Sequence, residues 1–223
     1  MEKIRSLIVG ATGLIGGEIL KILESQNQDI SLLSRSALKE KSDDVEEYII
    51  NFNDINDFDM PKFDNIFISI GTRLDISELL YIKNANRKKF IEVDYDLIIA
   101  IAKKAFSSGT KSIAIVSAVG ANSSSSNLYL KTKGELEREI KLIGYEKVVI
   151  AQPGHLLGDR PEDGLRLGIV FMELGAKVLE PLMFGPLKDL RSISAAKVAS
   201  SMVRFMNSKK GHYKLKYQDF INS

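Results

Sequence analysis

The chain contains no cysteine, which excludes disulfides and thiolate metal sites outright. It has two histidines, His155 and His212, far apart in sequence, so a histidine-based metal site is not expected and we assign none. No apolar run approaches the roughly 18 residues that a membrane span needs. A strand pattern begins almost at the N-terminus, leaving no room for a signal peptide, and the expectation is a cytoplasmic protein without a membrane partner. A net charge of +2 does not point to nucleic acid. The charge is uneven: from Lys188 to the end there are eight Lys or Arg against two Asp. We read this as the solvated basic surface of a terminal helix and strand in preference to an anion-binding patch. Proline is scarce, and four of the five lie between Pro153 and Pro186. One stretch of low complexity, Asn122 to Asn127 with four serines, reads as a loop, and no linker or repeat divides the chain. What remains is 223 residues of ordinary apolar and charged content, enough for one domain (1–223) with a sizeable core.

The most organised stretch is Leu7-Ile8-Val9-Gly10-Ala11-Thr12-Gly13-Leu14-Ile15-Gly16, an apolar run of strand length followed by GxxGxxG and an amphipathic segment. Strand, tight glycine turn and helix follow in that order. Gly10 lets the chain leave the strand sharply, Gly13 clears the approach of a pyrophosphate, and Gly16 lets the helix sit against the strand. The unpaired N–H groups of the new helix, at its positive dipole end, then face the anion. Thr12, Leu14 and Ile15 belong to the same turn.

Strand and helix patterns alternate from there on. Strands are expected at Ile30–Leu33, Glu47–Phe52, Asn65–Ile70, Ser112–Val116 and Lys147–Ala151, with a short last one near His212–Tyr217. Helices are expected at Asp94–Phe106, Asn127–Ile143, Leu165–Leu179 and Ala195–Asn207. Continuously apolar strands separated by helices make a parallel sheet covered on both faces. The fold class is therefore α/β: a doubly wound, mostly parallel, Rossmann-type sheet of six to seven strands in the order 3-2-1-4-5-6, with ligand across the carboxyl ends of the strands. The segment 153–191 is the expected substrate lobe. Its apolar group, Phe171, Met172, Leu174, Leu179, Leu182, Met183 and Phe184, reads as core or a homodimer face in preference to a substrate lid.

The second strand ends in Leu33-Ser34-Arg35-Ser36, with no acid to hold ribose hydroxyls. An Arg fork pairs with a 2′-phosphate, and Ser34 and Ser36 add hydrogen bonds, so the expected cofactor is NADP(H) and not NAD. A solvent-facing Arg35 is the alternative. Tyr129 and Lys133 are four apart on a predicted helix and share one face. An ammonium beside a phenol favours the phenolate and is expected to lower the Tyr129 pKa toward working pH, as a general acid for carbonyl reduction requires. Ser117, at the end of the fifth strand, is the expected hydrogen-bond donor to the developing alkoxide.

Taken together these residues resemble the atypical short-chain dehydrogenase/reductase superfamily. Within it, the chain resembles the subgroup around the human Tat-interacting oxidoreductase-like protein and its small bacterial relatives. The resemblance rests on Gly10 to Gly16, Gly71-Thr72, Val93-Asp94, Val116 to Ala121, Tyr129 to Glu135, and Pro153-Gly154 with Leu156-Leu157-Gly158. It implies NADP(H) binding and a Ser117–Tyr129–Lys133 catalytic set, with Lys133 also holding the nicotinamide ribose and Pro153, Gly154, His155 and Leu156 closing over the nicotinamide. Asp54 and Ile55, past the third strand, complete the expected cofactor set with Gly71 and Thr72. The chain departs from the family's pattern at Arg73, where a second Thr is common, and at Gln152, where Arg is common. Its Leu74–Lys89 segment also looks longer. His155 reads as a loop residue bonded to backbone in preference to a proton carrier. Two readings stay open: an oxidoreductase acting on a small carbonyl or alcohol, and an NADP(H)-sensing regulatory protein without turnover. A sugar-nucleotide epimerase is disfavoured because the region after the sixth strand is short.

Overall fold

The computed structural model describes residues 3–157 and 185–222. The expected helix at 165–179 and the apolar group from Phe171 to Phe184 lie outside the described residues. Seven parallel strands form one sheet in the order β3-β2-β1-β4-β5-β6-β9. They are β1 Arg5–Val9, β2 Asp29–Ser34, β3 Glu46–Ile49, β4 Asn65–Ile68, β5 Ser112–Val116, β6 Lys147–Ala151 and β9 Gly211–Leu215. The expected order holds, and the last strand extends it beyond β6. The residue pairs β7 Leu156–Leu157 and β8 Ile193–Ser194 make a separate two-stranded ladder that the sequence pattern did not announce.

Side-chain alternation along the strands divides the core into two layers. Ile8, Leu32, Phe67, Ala114 and Val149 face α1 (Leu14–Ser25) and α6 (Ala195–Met206), meeting Ile19, Leu23, Val198 and Met202. Leu7, Val9, Ile66, Ile113, Ile115, Val148 and Ile150 face the other way, onto α4 (Leu97–Ser107) and α5 (Leu128–Ile143), meeting Ile98, Ile101, Leu136 and Ile140. Every strand is parallel and the central ones are buried on both sides, so their apolar runs are continuous and not alternating. Helix α7 (Tyr217–Ile221) follows β9 and buries Phe220.

Two helix starts matter for the site. The turn after β1 needs glycine twice: Gly10 has φ +96°, and a Cβ on Gly16 would overlap the Gly10 carbonyl oxygen. Helix α5 begins at Asn127, whose side chain accepts the Leu130 N–H, and stops at Gly144 with φ +106°. The helix expected from Asp94 differs more. Helix α2 (Ile76–Leu80) is followed by α3 (Asn84–Ile91), which runs through a π turn (Glu92–Asp96) straight into α4. A π turn adds a residue to one helical turn and re-aims the side chains there. Among the described residues no helix is long and apolar enough to cross a membrane, and no group of three His, Cys, Asp or Glu could hold a metal ion.

Candidate active site

The parallel sheet carries the sequence-predicted residues to one edge, because each lies at or just past the carboxyl end of a strand. Gly10 follows β1, Ser34 ends β2, Asp54 lies in a single 3-10 turn after β3, Gly71 and Thr72 follow β4, Ser117 follows β5, and Pro153 follows β6. Thr12 and Gly13 are exposed on the turn before α1, Leu14 is half-buried, and Ile15 and Gly16 are buried beneath it. Helix α1 is capped by Gly13 with no side-chain hydrogen bond, so among the described residues no side chain caps its first turn. The Ile55 side chain is buried in the core cluster that includes Met60 and Phe63, so only its backbone is placed to meet a ligand.

At the end of β2, Arg35 and Ser36 are exposed while Ser34 turns inward. The Ser34 hydroxyl lies 2.9 Å from both the Ser36 carbonyl and Glu47 Oε1, and Glu47 also accepts the Leu38 N–H at 3.0 Å. A carboxylate therefore does reach the tip of β2, from the neighbouring strand β3, and it is spent on fixing the 34–38 loop. His155 is exposed, and its carbonyl accepts the Ile193 N–H at 2.8 Å, so this loop is tied to the β7–β8 ladder by backbone. The 74–89 segment is anchored to the start of α5 by the Asn127 side chain, which donates to the Leu79 and Leu80 carbonyls at 2.9 and 3.0 Å.

Three residues on one face of α5, Tyr129, Lys133 and Glu137, organise the interior of the edge. Lys133 Nζ donates to Asp94 Oδ1 at 2.8 Å, with both side chains almost fully buried. The other oxygen, Oδ2, accepts the Thr72 N–H at 2.7 Å. Asp94 comes from the π turn and is the one buried residue in it. Tyr129 lies beside Phe90 of α3, with ring centroids 6.0 Å apart. Burial pushes the Tyr129 pKa up; Lys133 pulls it down and Asp94 pushes it up again. The expectation of a lowered pKa is thus corrected. Desolvation of the phenolate outweighs the ammonium, whose charge is already shared with a carboxylate.

Ser117 stands just past the end of β5. Its hydroxyl donates to Glu137 Oε1 at 2.6 Å, one helical turn beyond Lys133, and Gln152 Nε2 donates to the same oxygen at 2.6 Å. Lys214 of β9 pairs with Glu137 Oε2 at 2.8 Å. Gln152, the departure from the family's Arg, belongs to this Glu137 layer, and Lys214 supplies the positive charge there. Neither Glu137 nor Lys214 was singled out from the sequence. Position i+4 from Lys133 was the available signal.

No family model matches the chain. The mitochondrial protein FMP52 of Candida albicans is 31% identical over 198 residues, which are 87% of this chain and 85% of that protein. HTATIP2 of Rattus norvegicus is 30% identical over 170 residues, 73% of this chain and 66% of that protein. Among solved structures, a Tyr-to-Phe variant of ElxO with NADPH bound has the same fold, with a TM-score of 0.69 over 95% of this chain and 96% of that one at 15% identity. Fold, edge and relatives define a Rossmann-type protein of the atypical short-chain dehydrogenase/reductase kind. Within that class, the chain belongs to the FMP52 family. The expectation of a cytoplasmic location is corrected by the same comparison, since FMP52 is named as mitochondrial in Candida albicans and in other yeasts. Composition does not distinguish the cytosol from an organelle.

Proposed function

We propose that the protein is an NADP(H)-dependent oxidoreductase that reduces a small carbonyl compound or oxidises the corresponding alcohol. The observation that carries this reading is Tyr129 beside the buried Lys133 on one face of α5, next to the Gly71–Thr72 turn. The uncapped start of α1 after Gly10, Thr12 and Gly13 suits a pyrophosphate. The exposed Arg35 and Ser36 suit a 2′-phosphate, and Glu47, the acid nearest them, is already bonded to Ser34 and Leu38. Lys133 and Thr72 would hold the nicotinamide ribose, with Pro153 to Leu156 over the ring. Bound NADPH supplies the hydride that forms the new C–H bond at the carbonyl carbon. Tyr129 gives its proton to the carbonyl oxygen, and solvent returns it. Ser117 is left out of the proton-handling set because its hydroxyl is committed to Glu137.

The test is a screen of aldehydes, ketones and quinones for NADPH oxidation by the wild type and Tyr129→Phe. Turnover lost in the variant supports the reading; turnover unaffected by the substitution sinks the role of Tyr129. Tight NADPH binding with no turnover on any class would favour the sensing protein. Arg35→Ala is expected to weaken NADPH binding about tenfold and leave NADH unchanged. Stronger binding of NADH than NADPH by the wild type would refute the 2′-phosphate assignment.

A further inference from the structure

We propose that Asp94 is a positioning residue of this site: its carboxylate locks Lys133 against the Gly71–Thr72 turn and sets the site for giving a proton rather than taking one. The inference rests on the oxidoreductase reading above and assigns the direction in which Tyr129 works.

The geometry is specific. Each Asp94 oxygen has its own partner from a different element: Oδ1 takes the Lys133 ammonium from α5, and Oδ2 takes the Thr72 N–H from the end of β4. The residue stands on the π turn between α3 and α4, and its neighbours there are exposed or half-buried while Asp94 is 2% exposed. The turn opposite packs closely on the carboxylate, since a Cβ on Gly71 would sit 3.0 Å from Asp94 Oδ1. Asp94 therefore joins the strand end expected to meet the cofactor to the helix that carries Tyr129.

Its charge has a second consequence. Among the described residues, the charged groups acting on the Tyr129 phenol are Lys133 of α5 and Asp94 of the π turn, while α3 brings the uncharged Phe90. A lone ammonium would draw the phenol toward phenolate. The carboxylate at 2.8 Å from Lys133 opposes this and, with burial, keeps the hydroxyl protonated through the neutral range. A protonated phenol is the form that carbonyl reduction consumes.

Asp94→Asn tests this, since it keeps the size of the side chain and an oxygen for Thr72 while removing the charge. Tyr129 is titrated by phenolate absorbance, as the difference between each protein and its Tyr129→Phe counterpart. Removing a negative charge lowers the phenol pKa, so the midpoint falls by about one pH unit. For NADPH-dependent reduction, the high-pH limb of kcat falls by the same amount with KM for the carbonyl compound little changed. A midpoint unmoved or raised overturns the proposal. Asp94→Glu is the second variant, and it decides the question where Asp94→Asn does not fold. It keeps the charge but displaces Lys133, so the midpoint does not fall and kcat drops at least about tenfold. An unaltered kcat in Asp94→Glu overturns the positioning role. The absorbance titration needs no turnover, so its outcome stands apart from whether a carbonyl substrate is found.

Discussion

The pairs Asp94–Lys133 and Glu137–Lys214 lie one turn apart along the same face of α5, and in both the carboxylate is buried. They differ in how completely they are satisfied. Glu137 receives three donors, from Ser117 past β5, Gln152 past β6 and Lys214 on β9, so it fastens three neighbouring strand ends to the helix. Asp94 receives two, and its cation Lys133 is almost fully buried, whereas Lys214 is 41% exposed. The Glu137 layer ties strand ends together; the Asp94 layer holds a buried ammonium beside a phenol. A buried ion pair is by itself weak testimony to function, because a structural clamp and a catalytic site look alike by burial and charge. The Tyr129 phenol beside the buried Lys133 is what separates the two pairs.

The largest effect expected from breaking this contrast is on the Asp94 side. Tyr129→Phe should lower kcat by about 10² to 10⁴-fold, measured as NADPH oxidation, and move the thermal midpoint by no more than about 2 °C. On the Glu137 side the effect should fall on stability. Glu137→Ala strands Lys214, Ser117 and Gln152 without their acceptor and should cost about 3–5 kcal/mol, seen as a fall of roughly 10 °C in the unfolding midpoint. Lys214→Ala should cost less, about 1 kcal/mol, because the side chain is 41% exposed and water screens the pair. Adding Gln152→Arg in that background should restore most of the loss in urea unfolding, since the Arg would bring the cation back to Glu137. No restoration would mean that Gln152 and Lys214 do not share one role.

Much of this was legible in the sequence. The GxxGxxG turn, the order of the central strands and the i,i+4 spacing of Tyr129 and Lys133 are local patterns, and they fall where expected. The Glu137 layer was not legible, because its donors come from three strand ends as far along the chain as β9. Sequence spacing carries no trace of which strand end meets which helix turn. The Ser117–Glu137 bond was not legible for the same reason: a serine at a strand end is equally placed for substrate and for a buried acid on the adjoining helix. The π turn was invisible because one added residue barely alters the apolar stripe, yet it turns Asp94 inward. The Tyr129 shift was missed by weighing Lys133 alone, without the burial and the carboxylate that the folded site adds.

Ser117→Ala tests the division between the two layers most directly, with kcat for NADPH-dependent reduction and the unfolding free energy measured on the same preparation. The expected result is a stability loss of about 1.5–3 kcal/mol, the worth of a hydrogen bond to a buried charge, with kcat within about threefold of wild type. A fall in kcat of a hundredfold or more with stability unchanged would contradict it, and would return Ser117 to the reacting oxygen.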